Sequence, residues 1–235
     1  PLPEEIAMKA ITYHPEENAD TRLLKLELKD GKYRFDVECL GEHIPDLTLG
    51  MPGMHNVENA LAAITIARLY EIDSKTIREA LSGFKGVKRR FEYIVQTKDF
   101  VFIDDYAHHP RELNACIQSV KALYPGKHIT GVFQPHLYSR TRDFYQEFAD
   151  SLSLLDTVIL LDIYPARELP VPGVSSGELL KRIQSDRKWM SSKEELPALL
   201  ESLHPEVLLT LGAGDIDQLV EPISHLFTRK SLKHE

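Results

Sequence analysis

From residue 91 onward the chain alternates short β-type runs with runs of helical spacing, and this alternation limits the possible folds more than any other feature. The β-type runs fall at 91–95, 100–103, 129–133, 157–161 and 207–211, with a weaker one at 188–190. Residues 110–123, 140–154, 175–183, 193–202 and 215–227 read as helices. Parallel strands need a crossover, and a crossover helix buries its apolar stripe on the sheet. The alternation therefore predicts a doubly wound α/β domain, a mostly parallel sheet with helices on both faces.

Residues 1–86 have another rhythm. A weak strand signal lies around 6–13. Residues 23–28 and 33–37 alternate apolar and polar with period two, and Asp30-Gly31 between them is a hairpin signal. Residues 47–53 read as a Gly/Pro-rich connection. Val57, Ala60, Leu61, Ile64, Ala67 and Tyr70 share one helical face, and Ile66 and Leu69 add apolar residues off it, which predicts a well-buried helix. A second helix is expected after an N-cap at Ser74, with Ile77 and Leu81 facing inward. Ser82-Gly83-Phe84-Lys85-Gly86 reads as a linker, which divides the chain into 1–86 and 87–235. The first piece shows no parallel core of its own.

The chain's 235 residues carry a formal charge of −8, which argues against a general binder of nucleic acid or membrane surfaces. Its two cysteines, Cys39 and Cys116, lie far apart, which fits a reducing compartment and excludes a cysteine-built zinc site. No apolar run reaches the roughly 20 residues of a membrane helix.

In a parallel sheet, the turns that follow the strands share one edge, and ligands bind there. The first such turn is Asp104-Asp105-Tyr106-Ala107-His108-His109-Pro110, with Pro110 suited to the first position of a helix. The others are Gln134-Pro135-His136-Leu137 with Ser139-Arg140-Thr141-Arg142, Asp162-Ile163-Tyr164-Pro165-Ala166-Arg167-Glu168, and Gly212-Ala213-Gly214-Asp215. Together they bring His108, His109, Arg111, His136, Arg140, Arg142 and Arg167 to one edge. Such a basic edge on an acidic chain points to an anion, phosphate or carboxylate, which arginine grips in bidentate fashion. Gly212-Ala213-Gly214 reads as a plain helix-entry turn or as room for a ligand. Asn56 and Asn59, three apart on a helix, read either as a cap plus a neighbour or as amides facing a base edge. Gly86-Val87-Lys88-Arg89-Arg90-Phe91 sets basic residues at the junction of the two pieces. There is no G-x-x-x-x-G-K-[ST], so these residues hold no P-loop.

Taken in register, the motifs resemble the Mur ligase family, in particular its alanine-adding member. They are Pro52-Gly53-Met54-His55-Asn56-Val57-Glu58-Asn59, Phe84-Lys85-Gly86-Val87-Lys88-Arg89-Arg90-Phe91, Asp104-Asp105-Tyr106-Ala107-His108-His109-Pro110, Phe133-Gln134-Pro135-His136, Tyr164-Pro165-Ala166 and Gly212-Ala213-Gly214-Asp215-Ile216. The resemblance implies a cytoplasmic enzyme of three domains. This chain would be the latter part of the mixed α/β ATP-binding central domain, at 1–86, and the Rossmann-like C-terminal domain, at 87–235. It implies ATP- and Mg2+-dependent joining of L-alanine to UDP-N-acetylmuramate through an acyl phosphate, in peptidoglycan precursor synthesis. No nucleic acid or membrane partner is implied, no protein-bound metal is expected, and no ATP or Mg2+ is expected to stay tightly bound to these residues alone.

By position, the resemblance puts His55, Asn56, Asn59, Arg90 and Asp105 on the nucleotide. Asn56 and Asn59 would read adenine, and Asp105 would meet the ribose. Arg90 and His108 become the catalytic candidates. Tyr106, His108, His109, His136, Arg140, Arg142 and Arg167 would line the amino-acid and acyl-phosphate side. The chain departs from the family pattern at Ala107, where glycine is common, at Leu137, where arginine is usual, and at Arg167, where glycine is common. Arg140, Arg142 or Arg167 would then supply the charge absent at Leu137. Other readings are a ligase of the same family that adds a tripeptide in muramyl-peptide recycling, a stand-alone binding module, and a phosphoesterase with Asp104, Asp105, His108 and His109 as metal ligands. The last has only Asp162 and Asp215 to complete a two-metal site.

Overall fold

A computed structural model describes residues 10–231 apart from Glu17, Asp30, Gly31 and Pro52. It divides into two compact units, 1–86 and 87–235.

The first unit contains a four-stranded sheet in the order β1 (Tyr13–His14), β2 (Thr21–Lys29), β3 (Lys32–Cys39) and β4 (Glu42–Leu49). The β2–β3 pair is antiparallel, with Lys29 opposite Lys32, and the Asp30-Gly31 turn itself lies outside the described residues. So do the first residues of the weak strand signal around 6–13. The expected connection at 47–53 is corrected, because Leu47–Leu49 complete β4. Pro45 hid that strand. The strand tolerates it because β4 is an edge strand whose register with β3 shifts between Phe35 and Val37.

Two helices follow, α1 (Met54–Leu69) and α2 (Ser74–Gly83). Val57, Ala60, Leu61 and Ile64 of α1 pack on Phe35, Val37, Ile44 and Leu47 of the sheet. The rest of α1 departs from expectation, since Ile66 is 57% exposed and Tyr70, just past its end, 80% exposed. Apolar residues all round did not bury the helix all round. On this exposure, Ile66→Ala should change the unfolding free energy measured in urea by no more than about 0.5 kcal/mol. A loss above about 2 kcal/mol, the scale of a core isoleucine, would contradict it. The cap of α2 shifts by one residue: Asp73 accepts the Thr76 N–H at 2.9 Å, and Ser74 is already helical. Both side chains are good caps, and Asp73 lies one residue nearer the extended chain.

The second unit is a six-stranded sheet in the order β5 (Glu92–Gln96), β6 (Val101–Asp105), β10 (Val207–Leu211), β7 (Ile129–Phe133), β8 (Thr157–Leu160) and β9 (Lys188–Met190). Only β5 runs antiparallel to its neighbour. The side chains sort by strand period. Val101, Ile103, Val158, Leu160, Val207 and Leu209 face one core with α3 (Pro110–Leu123), α5 (Tyr145–Leu152) and α6 (Ser176–Arg182). Phe102, Ile159 and Leu208 face the other, with α7 (Leu196–Leu203) and α8 (Val220–Ser231). Fully burying a side chain such as Phe148 or Leu200 contributes about 1.5–3 kcal/mol.

Two of the expected helices are split. Residues 140–154 break at Phe144 into α4 (Tyr138–Asp143) and α5, with Phe144 at φ −122°. Residues 215–227 begin as a 3-10 turn, Asp215–Leu219, before α8. The Ile216 N–H there is taken by the Gln134 side chain rather than by the helix.

Candidate functional site

The strands end flush. Asp105 pairs with Leu211, Leu211 with Phe133, and Phe133 with Leu160, so the four turns emerge side by side. Chain connection sharpens the edge, because β6 and β7 are consecutive parallel strands yet lie on either side of β10. The turns after β6 and β7 lead to helices on one face of the sheet, while the β10 turn between them leads to α8 on the other face, so the chain parts here over the crevice that such reversals create.

Rings of several of these turns form a row. Tyr106 and His108 meet edge-on at 5.3 Å between centres, His108 and His136 at 6.2 Å, and His136 stacks on Tyr164 at 5.6 Å. The guanidinium of Arg90 lies 5.3 Å from the Tyr106 ring centre, and Arg140 Nη1 lies 3.5 Å from His136 Nδ1. The row thus has Arg90 beside Tyr106 and Arg140 beside His136.

Hydrogen bonds fix the imidazoles. His108 Nδ1 lies 3.1 Å from the Tyr106 carbonyl and 3.2 Å from Glu112 Oε2, both acceptors, so Nδ1 carries the proton. In the tautomer with a single proton, on Nδ1, the lone pair lies on Nε2. Burial opposes the Glu112 charge, but the His108 N–H, the His108 ring and the His109 N–H together hold its carboxyl below the ordinary range. His136 is held below the ordinary imidazole range by burial first and by Arg140 second. It faces the Arg140 donor as a neutral acceptor.

The two aspartates are spent inside the chain. Asp104 is 1% exposed, accepts from Thr210 Oγ1 at 2.6 Å, and pairs with Arg89 Nε at 3.1 Å. Asp105 accepts the Phe91 and Ala107 N–H groups, each at 2.7 Å. Burial pushes the Asp105 carboxyl up to about 6, against the pull of those two N–H groups. A raised folded value means that the folded state holds the proton more tightly. The contribution of Asp105 to stability is then complete below about pH 4 and is lost as pH rises through about 6. A carboxyl-carbon NMR titration should find its midpoint near 6, and Asp105→Asn should flatten the fall in stability between those values. A midpoint at or below 4 would contradict the dominance of burial.

The remaining candidates scatter. His109 turns the other way: its Nδ1 accepts the Arg111 N–H and caps α3, its ring meets Phe144 at 4.9 Å, and Pro110 fills the first helical turn. It lines a separate groove of about 790 Å³ with Arg111, Asn114, Glu147 and Asp150. Arg142 is exposed and paired to Asp143 at 2.8 Å. Arg167 is exposed in the turn after Tyr164. In that same turn, Glu168 accepts from the Ser139 N–H and hydroxyl at the start of α4, bonds that hold its carboxyl below the ordinary range. In the first unit, Asn56 is buried and Asn59 exposed. Asn56 is not the cap, since Gly53, at φ 99°, occupies that position. Of His55 only the backbone is described, in the first turn of α1.

Gly212 and Gly214 serve packing. A Cβ on Gly212 would lie 2.7 Å from the Gln134 carbonyl oxygen. One on Gly214 would lie 2.4 Å from Gln134 Oε1 and 2.7 Å from Tyr164 Cβ. Gln134 crosses this gap, donating to Asp215 Oδ1 and accepting from Ile216 N, each at 2.9 Å. The sequence places Arg89 only among the basic residues at the junction, whereas in the structure it joins Asp104 to the Gly212 carbonyl. The available signal was the pair of aspartates at the end of an apolar strand, which requires a nearby cation when buried.

Among the described residues no three His, Cys, Asp or Glu side chains converge as metal ligands, and Asp104 and Asp105 already have partners. That geometry disfavours the phosphoesterase reading. Among the same residues, no helix is long and apolar enough to cross a membrane.

Residues 89–214 match the family model described as Mur ligase, glutamate ligase domain. The UDP-N-acetylmuramate–L-alanine ligase of Flavobacterium psychrophilum is 46% identical over 92% of this chain and 48% of its own length. That of Porphyromonas gingivalis is 50% identical over 88% of this chain and 46% of its own. The crystal structure of the UDP-N-acetylmuramate-alanine ligase of Thermotoga maritima superposes with a TM-score of 0.77 at 27% identity, covering 94% of this chain and 48% of that one. The chain thus spans about half the length of the relatives it matches.

Proposed function

The chain belongs to the Mur ligase family, and on that premise we propose that it works as the C-terminal portion of an ATP-dependent ligase joining L-alanine to UDP-N-acetylmuramate. The observation that carries the proposal is the row Tyr106, His108, His136 and Tyr164, with Arg90 beside Tyr106 and Arg140 beside His136, on either side of His108. It supplies cations for a phosphoryl group and a carboxylate, and an imidazole with a free lone pair between them.

In the proposed reaction the sugar's carboxylate attacks the γ-phosphorus of ATP, and ADP leaves. The alanine amine then attacks the acyl carbon, the C–O bond to phosphate breaks, and phosphate leaves. Arg90, whose side chain is exposed, offsets charge on the transferring phosphoryl group. Arg140 receives the alanine carboxylate. His108 Nε2 takes the proton that the amine must lose, while Nδ1 stays bonded to Tyr106 and Glu112. His136, kept neutral, adds no charge that would hold the product. Asn59, exposed three residues after Asn56 on α1, suits an adenine edge. The described residues offer no magnesium ligand set, and no step is assigned to the ion.

The test uses a full-length ligase carrying this sequence and UDP-N-acetylmuramate labelled with 18O in its carboxylate. One labelled oxygen should appear in each phosphate released. Unlabelled phosphate would exclude the acyl phosphate.

A further inference from the structure

Arg89, Arg90 and Phe91 are consecutive, and the outer two have positive φ, 59° and 50°. Left-handed backbone at arginine and phenylalanine is unfavourable and persists only where surroundings enforce it. The enforcers are the two aspartates that end β6. Asp104 grips the Arg89 side chain, with Nε to Oδ2 at 3.1 Å, and Asp105 grips the Phe91 backbone N–H at 2.7 Å. The Tyr106 N–H returns to the Arg89 carbonyl at 2.7 Å, and Glu92 accepts the Arg89 N–H at 2.7 Å. The Arg89 guanidinium continues to the β10 turn, donating to the Gly212 carbonyl at 2.6 Å and lying 3.5 Å from that of Gly214. It also lies 5.1 Å from the Tyr106 ring centre, against the ring that Arg90 meets at 5.3 Å.

Two neighbouring arginines therefore play different parts. The donors of Arg89 are committed to the chain, while Arg90 is exposed. We propose that Arg89 and Asp104 are a positioning pair, which with Asp105 clamps the residues on either side of Arg90 and so aims Arg90 at the reacting end. This rests on the function proposed above.

Removing Arg89 alone would strand a buried Asp104 charge and unfold the site, so the informative variant is Arg89→Met with Asp104→Asn. It deletes both charges, and Asn can still accept from Thr210. In the full-length ligase, this double variant should fold and keep its KM for UDP-N-acetylmuramate, while kcat falls by about 30-fold or more, because small misplacements of reacting groups are costly. In an Arg90→Ala background the same two substitutions should cost almost nothing further, since they act through Arg90. Unchanged kcat, or losses that multiply independently of Arg90, would overturn the proposal. A second readout does not depend on ligase activity. In the 235-residue chain, exchange of the Tyr106 amide hydrogen should speed at least about tenfold in the double variant, as the bond to the Arg89 carbonyl loosens. Unchanged exchange would overturn the clamp even if the wild-type enzyme ligates as proposed. A wild-type enzyme that fails to ligate, with exchange accelerated as expected, would sink the functional reading and leave the clamp standing.

Discussion

Gly214→Ala should be strongly destabilising to the second unit. Its Cβ would lie 2.4 Å from Gln134 Oε1 and 2.7 Å from Tyr164 Cβ. Neither atom is the end of a loose side chain. Gln134 is buried and held at both ends, by Asp215 and by the Ile216 N–H. Asp215 is held in turn by Lys193, which with Gln134 keeps its carboxyl below the ordinary range against its partial burial. Tyr164 is fixed by the pairing of its backbone with Pro135 and Leu137. Relief requires moving the Gln134 turn, which sacrifices at least one buried hydrogen bond. Overpacking at about 1–3 kcal/mol and a stranded amide at about 1–3 kcal/mol add to roughly 2–6 kcal/mol. A thermal melt of the chain should therefore drop by roughly 4–24 °C. A shift under about 3 °C would mean that the two turns are not in contact as described.

Arg90→Ala should have the opposite character. Its side chain is exposed, so stability should change by less than about 0.5 kcal/mol apart from lost stacking on Tyr106. If Arg90 offsets phosphoryl charge in the proposed ligation, kcat of the full-length enzyme should fall by about 10²–10³-fold with the KM for L-alanine little changed. A rise in KM alone, with kcat preserved, would reassign Arg90 to ground-state binding.

Much of the architecture was legible because it depends on local periodicity. The runs at 129–133, 188–190 and 207–211 became strands with the same bounds, and Pro110 opened α3 at the expected residue. What escaped was decided at a distance. Pro45 lies in a strand because β4 is at an edge. Ile66 and Tyr70 are apolar yet exposed, and periodicity says only which faces are apolar, not which face meets the sheet. At the site, neighbouring residues of one motif parted: His108 turned to the ring row, and His109 to Phe144 and the helix cap. The aspartate pair signalled the need for a cation, but the reach of Arg89 to Gly212 depends on β10 lying between β6 and β7, which brings Gly212 beside Asp104.

The most direct test is a product assay. A full-length ligase carrying this sequence, given ATP, Mg2+ and UDP-N-acetylmuramate, should consume L-alanine and form one amide product, one ADP and one phosphate per turnover. With muramic acid sugars and a tripeptide in place of alanine, it should form nothing. Tripeptide addition without alanine addition would contradict the account, and so would phosphate release that is independent of an amino acid.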